Sequence, residues 1–497
     1  MATTVAGYWC VAGGVSVHLT LGTLYLFANM TSAVTAHLRK FDSEITYQKT
    51  LLCFATALGA QGCTMLLGGL LEKRYGARKT VLLGGYILVL GTFLASTATS
   101  LAELIIYNGV MFGIGLGVCY SAPITCACKF LPNRKGIVTG SIVAGFGLGA
   151  FIFGVVSTSI LNPHGLNVSD YPDERDAAYF ASDSEVANNV PKTFVVLGVC
   201  YFMLVSFAGW CLREPTEAEE AEILSAATSL HDRVSLNEST SSGSPRSGAR
   251  LFHHVDGTAI NPLGLQTQPY QKTSLADTSM HSDTDAKREE DTMQALAFDV
   301  GPWDLVRNPL AWHLSTCLIL TTVGGMYLAG TQKVYGQRIF KSDSYLSTVS
   351  SISSIFNAVG RIFWGAMADR FGPIKTITFL SLLFSIIILS YPSSPLLGGE
   401  VGFASWTFLI FFFEGGNFAL YPPIVIQLFG TRNSGSNYGL IFSAYSVCVV
   451  ANITVLARFA VSFEAACESM SLLTFLGFIN LLAFDGHLRA LCKKSDK

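Results

Sequence analysis

Charge is what this chain has least of. Only 13% of its 497 residues are Asp, Glu, Lys or Arg, where soluble domains carry roughly a quarter. Half of the residues are hydrophobic, so an ordinary water-soluble fold is excluded and a polytopic membrane protein is expected. The formal net charge is -2, and no dense basic stripe offers itself to nucleic acid. The N-terminus MATTVAGYWC lacks the charged start and small-residue cleavage site of a removable signal peptide, so it is expected to open an uncleaved first helix. Catalytic equipment is missing as well. No nucleophile–base pair, phosphate loop or metal set is present, which sets aside an enzyme and leaves no cofactor to expect. The twelve cysteines are mostly embedded in apolar runs (Cys53, Cys63, Cys119, Cys200, Cys317, Cys448), where they serve as small packing residues rather than bridges. Cys126 and Cys128 form a C-x-C pair, but no second pair completes a metal site.

What is present is a series of apolar runs. They predict helices near Gly7–Met30, Thr50–Leu71, Thr80–Ala98, Leu101–Cys128, Ile137–Ile160 and Thr193–Cys211. After a long polar stretch, further runs lie near Pro309–Leu328, Tyr345–Ala366, Thr376–Tyr391, Val401–Leu428, Tyr438–Leu456 and Cys467–Phe484. The expected architecture is all-α, with about twelve transmembrane helices in two six-helix halves of residues 1–211 and 308–486. Residues 212–307 are rich in Ser, Thr and acidic side chains and poor in large apolar ones. They read as a disordered cytoplasmic linker with a phosphorylation candidate at Ser244-Pro245. Residues 487–497 read as a tail.

Basic residues set the expected orientation. Lys73, Arg74, Arg78 and Lys79 follow the second run, Lys129, Arg134 and Lys135 the fourth, and Arg370 and Lys375 the eighth. The connection after the fifth run is acidic. Arg39, Lys40 and Lys49, and Lys333, Arg338 and Lys341, are exceptions, yet the balance puts both termini in the cytoplasm, with a plasma membrane expected. Asn167-Val168-Ser169 then lies outside as a glycosylation sequon.

The two halves echo each other. Gly69 and Gly76 flank Lys73, Arg74 and their neighbours; Gly365 and Gly372 repeat the same separation around Asp369 and Arg370. Pro123 precedes Gly140 by 17 positions, and Pro422 precedes Gly439 by 17. Parallel six-helix repeats around a central cavity are the plan of one large transporter class.

The turn from Gly365 to Gly372 resembles the loop signature of the major facilitator superfamily: glycine, three residues, Asp-Arg, one residue, glycine. Within that superfamily the chain resembles the oxalate/formate antiporter and monocarboxylate transporter branch. The residues that carry this are Gly22-Thr23-Leu24-Tyr25, the run PNRKGIVTGSIVAGFGLG from Pro132, Asn357–Arg361, the run GGNFALYP from Gly415, and Asn437-Tyr438-Gly439. The likeness spans both membrane halves but not the linker. In the first half Lys73 stands where the signature has aspartate, with Glu72 one place early. The gate loops implied are Gly69, Lys73, Arg74, Gly76 and Arg78 on one side and Gly365, Asp369, Arg370 and Gly372 on the other.

An arginine inside an apolar run is costly, and a functional role is its default explanation. Arg361 lies about eight residues, or ~12 Å of helical rise, before Asp369, which puts it deep in a ~30 Å hydrocarbon core. The resemblance gives it the role of holding the substrate carboxylate, for which a guanidinium fork is suited. Asn357, one turn earlier on the same face, stands where monocarboxylate transporters often carry a proton-accepting aspartate. Glu414, amid Leu409–Phe413 and Gly415-Gly416, is therefore the expected coupling acid, pairing with Arg361 when the site is empty. His18 is a further proton-relay candidate. Tyr25, Tyr120, Phe418 and Tyr421 fall where the family lines its cavity with aromatics. Tyr445 stands where the oxalate antiporter carries a lysine; a site with one cation suits a monoanion.

The function expected is secondary transport of a small monocarboxylate such as formate, lactate or pyruvate, by proton symport or anion exchange. The expected partners are that carboxylate, protons and the lipid bilayer. A carrier for a dicarboxylate or amino acid, or a nutrient sensor with the same fold, are the alternatives.

Overall fold

The computed structural model describes residues 2–166, 180–223, 225, 300–340, 343–430, 432–459 and 462–495. Asn167, most of the linker including Ser244-Pro245, and Lys341 lie outside the described residues. Among the described residues, twelve long helical rods follow one another. In the first half, α1 comprises Ala2–Leu21 and Leu24–Leu38, α2 is Tyr47–Tyr75, and α3 is Ala77–Ala95. The rod α4 runs through Leu101–Leu104, a π-helical Ile105–Met111, Phe112–Tyr120 and Ala122–Phe130. Lys135–Leu161 is α5 and Glu185–Cys211 is α6. The second half has α7 (Pro309–Ile339), α8 (Asp343–Phe371), α9 (Pro373–Ser390), α10 (Ser394–Phe429), α11 (Ser434–Phe459) and α12 (Phe463–Ser495).

Among the described residues, nine helical stretches are long and apolar enough to cross a membrane, one of them, Pro373–Phe429, being two rods in succession. The rod α8 is not among them. Its first half is rich in serine (Ser344, Ser347, Ser350, Ser351, Ser353, Ser354) and it carries Asn357 and Arg361. A helix with that composition suits the bundle interior better than lipid.

The rods differ from the expected runs mainly in length. The helix α7 continues past Leu328 to Ile339, so Lys333 and Arg338 sit on its final turns rather than in a loop. The expected tail is helical, since α12 continues to Ser495. The ends of the expected linker are also structured. Leu212 is buried, Glu214 accepts the Ala77 N–H at 3.0 Å, and Pro302–Val306 forms a short helix with Leu305 buried. Val300 bonds the Phe429 carbonyl through its N–H at 3.1 Å and accepts from Asn433 and Asn437.

The sequence echo becomes a geometric one. Gly76 and Gly372 end α2 and α8 with φ of 81° and 88°, a region that side chains beyond glycine rarely enter. Each N–H closes onto a carbonyl of the preceding turn, Glu72 for Gly76 and Ala368 for Gly372. The first glycine of each signature faces the opposite half: a side chain at Gly69 would collide with the α11 backbone at Gly435–Ser436, and one at Gly365 would lie 2.6 Å from the α5 backbone at Gly136. Gly140 on α5 meets the Arg361 carbonyl on α8, and Gly439 on α11 meets Met65 and Leu66 on α2. Two seams, α5–α8 and α2–α11, thus join the halves through glycine-permitted backbone contact.

Candidate functional site

Arg361 is the largest of the side chains that the fold buries almost completely, with 1% of its surface exposed. Glycines set its height and reach. Gly140 brings α5 against its own carbonyl, and Gly360 and Gly415 let α8 and α10 touch backbone to backbone beside it. Its Nε donates to Asn357 Oδ1 at 2.8 Å, and Asn357 in turn donates through Nδ2 to the Phe411 carbonyl at 3.1 Å. An asparagine serves both contacts, whereas an aspartate has no hydrogen to give to that carbonyl. Because Asn357 is neutral, it orients the guanidinium without cancelling its charge.

The guanidinium lies between two aromatic faces, 5.3 Å from the Phe146 ring centre and 5.5 Å from that of Phe418, a cation–π arrangement. Its Nη1 is buried without a hydrogen-bond partner among the described residues. Tyr120 is a neighbour of the guanidinium. Tyr25 meets the edge of Phe146 at 5.3 Å and donates its hydroxyl to Met326 Sδ on α7 at 3.3 Å. Residues of α1, α4, α5, α8, α10 and α7 therefore converge on one point between the halves.

Glu414 belongs to the same interior but does not pair with Arg361: no ion pair within 4.0 Å joins them. The expected resting pair is corrected by packing. Arg361 is turned toward Asn357, while the Glu414 carboxylate is tucked against Gly325 of α7, where any side chain would collide with Oε2. Glu414 is 2% exposed, and neither oxygen has a hydrogen-bond partner among the described residues. Tyr445 also faces this region; its ring meets Phe418 and Phe442 edge-on, and its hydroxyl has no hydrogen-bond partner among the described residues.

Two other candidates are engaged elsewhere. The Tyr421 hydroxyl shares a 2.8 Å hydrogen bond with Thr321 of α7, so it braces the second half. His18 is wholly buried and its Nδ1 lies 2.9 Å from the Gly14 carbonyl. A carbonyl only accepts, so Nδ1 carries a hydrogen, and in the neutral ring Nε2 is left as an acceptor. The His18 ring meets Tyr120 at 5.2 Å, which puts it in contact with the wall around Arg361.

The gate loops latch by different chemistry in the two halves. Asp369 accepts the N–H groups of Gly136 and Ile137, each at 2.8 Å. A carboxylate across the first turn of α5 satisfies otherwise unpaired donors and complements the helix dipole. At the equivalent place in the first half, Lys73 cannot accept from a helix N-terminus. It donates instead to Asn433 Oδ1 at 2.8 Å, just before α11. Glu72 turns inward, accepts from Thr125 and lies 3.8 Å from Lys129, which also holds Glu214 at 2.8 Å. Arg74 and Arg370 each lie over the ring of the next residue, Tyr75 and Phe371. Arg78 follows Ala77 in the first turn of α3.

Sequence reasoning missed Phe146, Met326 and Phe442, as well as Asn417, whose Nδ2 donates to the Thr321 carbonyl of α7 at 3.1 Å, and Tyr438, whose ring lies 6.2 Å from that of Tyr120. Asn417 was within reach, since it stands three residues after Glu414, on the same helical face. Tyr438 stood inside the matched Asn437–Gly439 run. Phe146 and Met326 are apolar residues in apolar helices, and nothing local distinguishes them from packing.

Known proteins share the family and the fold. The family model described as Major Facilitator Superfamily matches residues 6–451. The chain is 28% identical to the apicoplast pyruvate carrier 1 of Toxoplasma gondii, over 88% of this chain and 81% of that one. It is 21% identical to the oxalate:formate antiporter of Oxalobacter formigenes, covering 76% and 68%, and 21% identical to monocarboxylate transporter 9 of Rattus norvegicus, covering 75% and 72%. Its fold matches that of the proton:xylose symporter XylE with a TM-score of 0.59 at 13% identity, over 96% of this chain and 94% of that one. With twelve helices in two halves, matched glycine turns and a family model spanning both, the chain belongs to the Major Facilitator Superfamily and is a membrane transporter rather than an enzyme.

Proposed function

We propose that the protein is a secondary active carrier of small monocarboxylates, of the formate, lactate and pyruvate class, working by alternating access between its two halves. The observation that carries this reading is Arg361: a buried guanidinium oriented by a neutral asparagine, flanked by aromatic faces, with no hydrogen-bond partner for Nη1 among the described residues. Such a group is costly in a bilayer unless an anion completes it, and a carboxylate fits its donors in pairs. One uncancelled cation, with Tyr445 instead of a second, favours a monoanion over a dianion. The relatives named for pyruvate, for oxalate and formate, and for monocarboxylates point the same way.

Glu414 supplies the coupling in this reading. A buried carboxylate without a partner is expensive as an anion, so it is the place to take up a proton when substrate moves. One observation favours a second reading: the same unpaired Glu414 could receive the ammonium of an amino acid whose carboxylate sits on Arg361. The termini are proposed to be cytoplasmic. Because one relative is named for an organelle, an organelle membrane stands beside the plasma membrane.

Competition against labelled pyruvate in reconstituted vesicles tests the reading. Formate, lactate and pyruvate should compete, and oxalate and alanine should not. Strong competition by alanine alone would replace the monocarboxylate with a zwitterion.

A further inference from the structure

The C-x-C pair of α4 is split by the fold. Cys128 turns toward Thr139 of α5, whereas Cys126 turns toward α1, where its Sγ lies 3.9 Å from that of Cys10. The two cysteines are 116 residues apart in the chain, and glycines bring their helices together. About one turn to either side of Cys10, a side chain at Gly7 would meet Phe130 of α4 at 3.0 Å, and one at Gly13 would meet Cys211 of α6 at 2.8 Å. Both sulfurs also converge on one acceptor, the Arg213 carbonyl just beyond α6, at 3.0 Å from Cys126 and 3.6 Å from Cys10. Cys10 and Cys126 are fully buried, and the site around Arg361 uses neither.

We propose that Cys10 and Cys126 are a redox modification site: hydrogen peroxide converts them reversibly into a disulfide, and the bridge releases the chain that leaves α6. Closing the 3.9 Å separation to the ~2.05 Å of a disulfide is a movement of about 2 Å on helices already in contact. One thiol, as its thiolate, attacks an oxygen of the peroxide; the O–O bond breaks, and the departing hydroxide takes up the thiol's proton as water. The second sulfur attacks the sulfenic acid so formed, the S–O bond breaks, and its hydroxide leaves with the second proton as water. Two thiols are thereby oxidised to one disulfide, and the peroxide is reduced to two waters. Hydrogen peroxide, little larger than water, suits a buried pair. Because a disulfide has no hydrogen to give, the bridge deprives the Arg213 carbonyl of both S–H contacts. The next residue, Glu214, holds Lys129 and the Ala77 N–H beside the Gly76 turn. The loosened segment is therefore the one attached to the first-half gate loop.

The test treats the full-length protein in proteoliposomes with hydrogen peroxide and then blocks the remaining thiols by alkylation. Peptide mass spectrometry without reduction should find Cys10 linked to Cys126, and dithiothreitol should remove the link. Hydrogen exchange of the amides in residues 212–220 should quicken at least about twofold on oxidation, the low end for a lost hydrogen bond because a thiol is a weak donor. Reduction should slow it again. Cys126→Ser keeps a donor for the Arg213 carbonyl and cannot form the bridge, so peroxide should leave its exchange unaltered. No link between Cys10 and Cys126, or a link from Cys10 to Cys211 instead, overturns the proposal. A link formed with exchange unaltered, or exchange that quickens equally in Cys126→Ser, overturns it too. None of these readouts depends on transport, so failure of the carboxylate reading would leave this result standing.

Discussion

Asn357 decides how Arg361 behaves. It spans from the guanidinium to the Phe411 carbonyl, so it fixes the arginine while leaving its charge available. Asn357→Asp would place a carboxylate at 2.8 Å from Nε and neutralise the site, and substrate affinity should fall by tenfold or more in exchange assays. Unchanged affinity in that variant would show that the charge is not what binds. Glu414, by contrast, makes no ion pair among the described residues. Glu414→Gln keeps the shape and removes the titratable proton. Uptake by this variant should lose its dependence on an imposed pH gradient while exchange of one carboxylate for another continues. If the gradient drives Glu414→Gln as strongly as wild type, the proton is carried elsewhere.

At the scale of the helices, α8 does two jobs through residues about two turns apart. Arg361 faces the interior, and Asp369 caps α5 across the seam. Charge-assisted bonds of this kind are each worth about 1.5–3 kcal/mol, enough to bias which way a two-state carrier faces. Asp369→Ala should loosen the seam. Cys128, buried nearby and 3.8 Å from Thr139 of α5, provides a native reporter: its alkylation, followed by peptide mass spectrometry, should accelerate in the variant. An unaltered rate would mean that Asp369 does not hold the seam shut. Gly140 tests the same seam from the other side, because a methyl there would come within 2.5 Å of the Arg361 carbonyl. Gly140→Ala should lower the melting temperature and weaken substrate binding together, since overpacking costs ~1–3 kcal/mol and the displaced backbone carries the arginine. A loss of stability with binding intact would separate packing from the site.

Over the whole molecule, the plan of two halves was legible because repetition survives in residues that geometry cannot replace. Gly76 and Gly372 adopt positive φ, and Gly69 and Gly365 admit the opposite helix; these constraints leave a mark in sequence. Arg361 was legible for a similar reason, as a charge that lipid does not tolerate. What could not be read was relative placement. Whether Glu414 meets Arg361 depends on the space left by Gly325, nearly ninety residues away from Glu414 in the chain, and on Asn357 having already claimed the guanidinium. Phe146 became visible only when α5 and α8 brought its ring against the guanidinium. The asymmetry of the latches was visible as Lys73 in place of an acid, but its partner Asn433 lies across the halves.

All of this converges on one claim: a carboxylate completes Arg361. The most direct measurement is the initial rate of pyruvate counterflow in proteoliposomes containing wild type or Arg361→Lys. The substitution keeps the charge and removes the planar fork, so the rate should fall at least tenfold at equal protein and unaltered melting temperature. Counterflow by Arg361→Lys at the wild-type rate would contradict it.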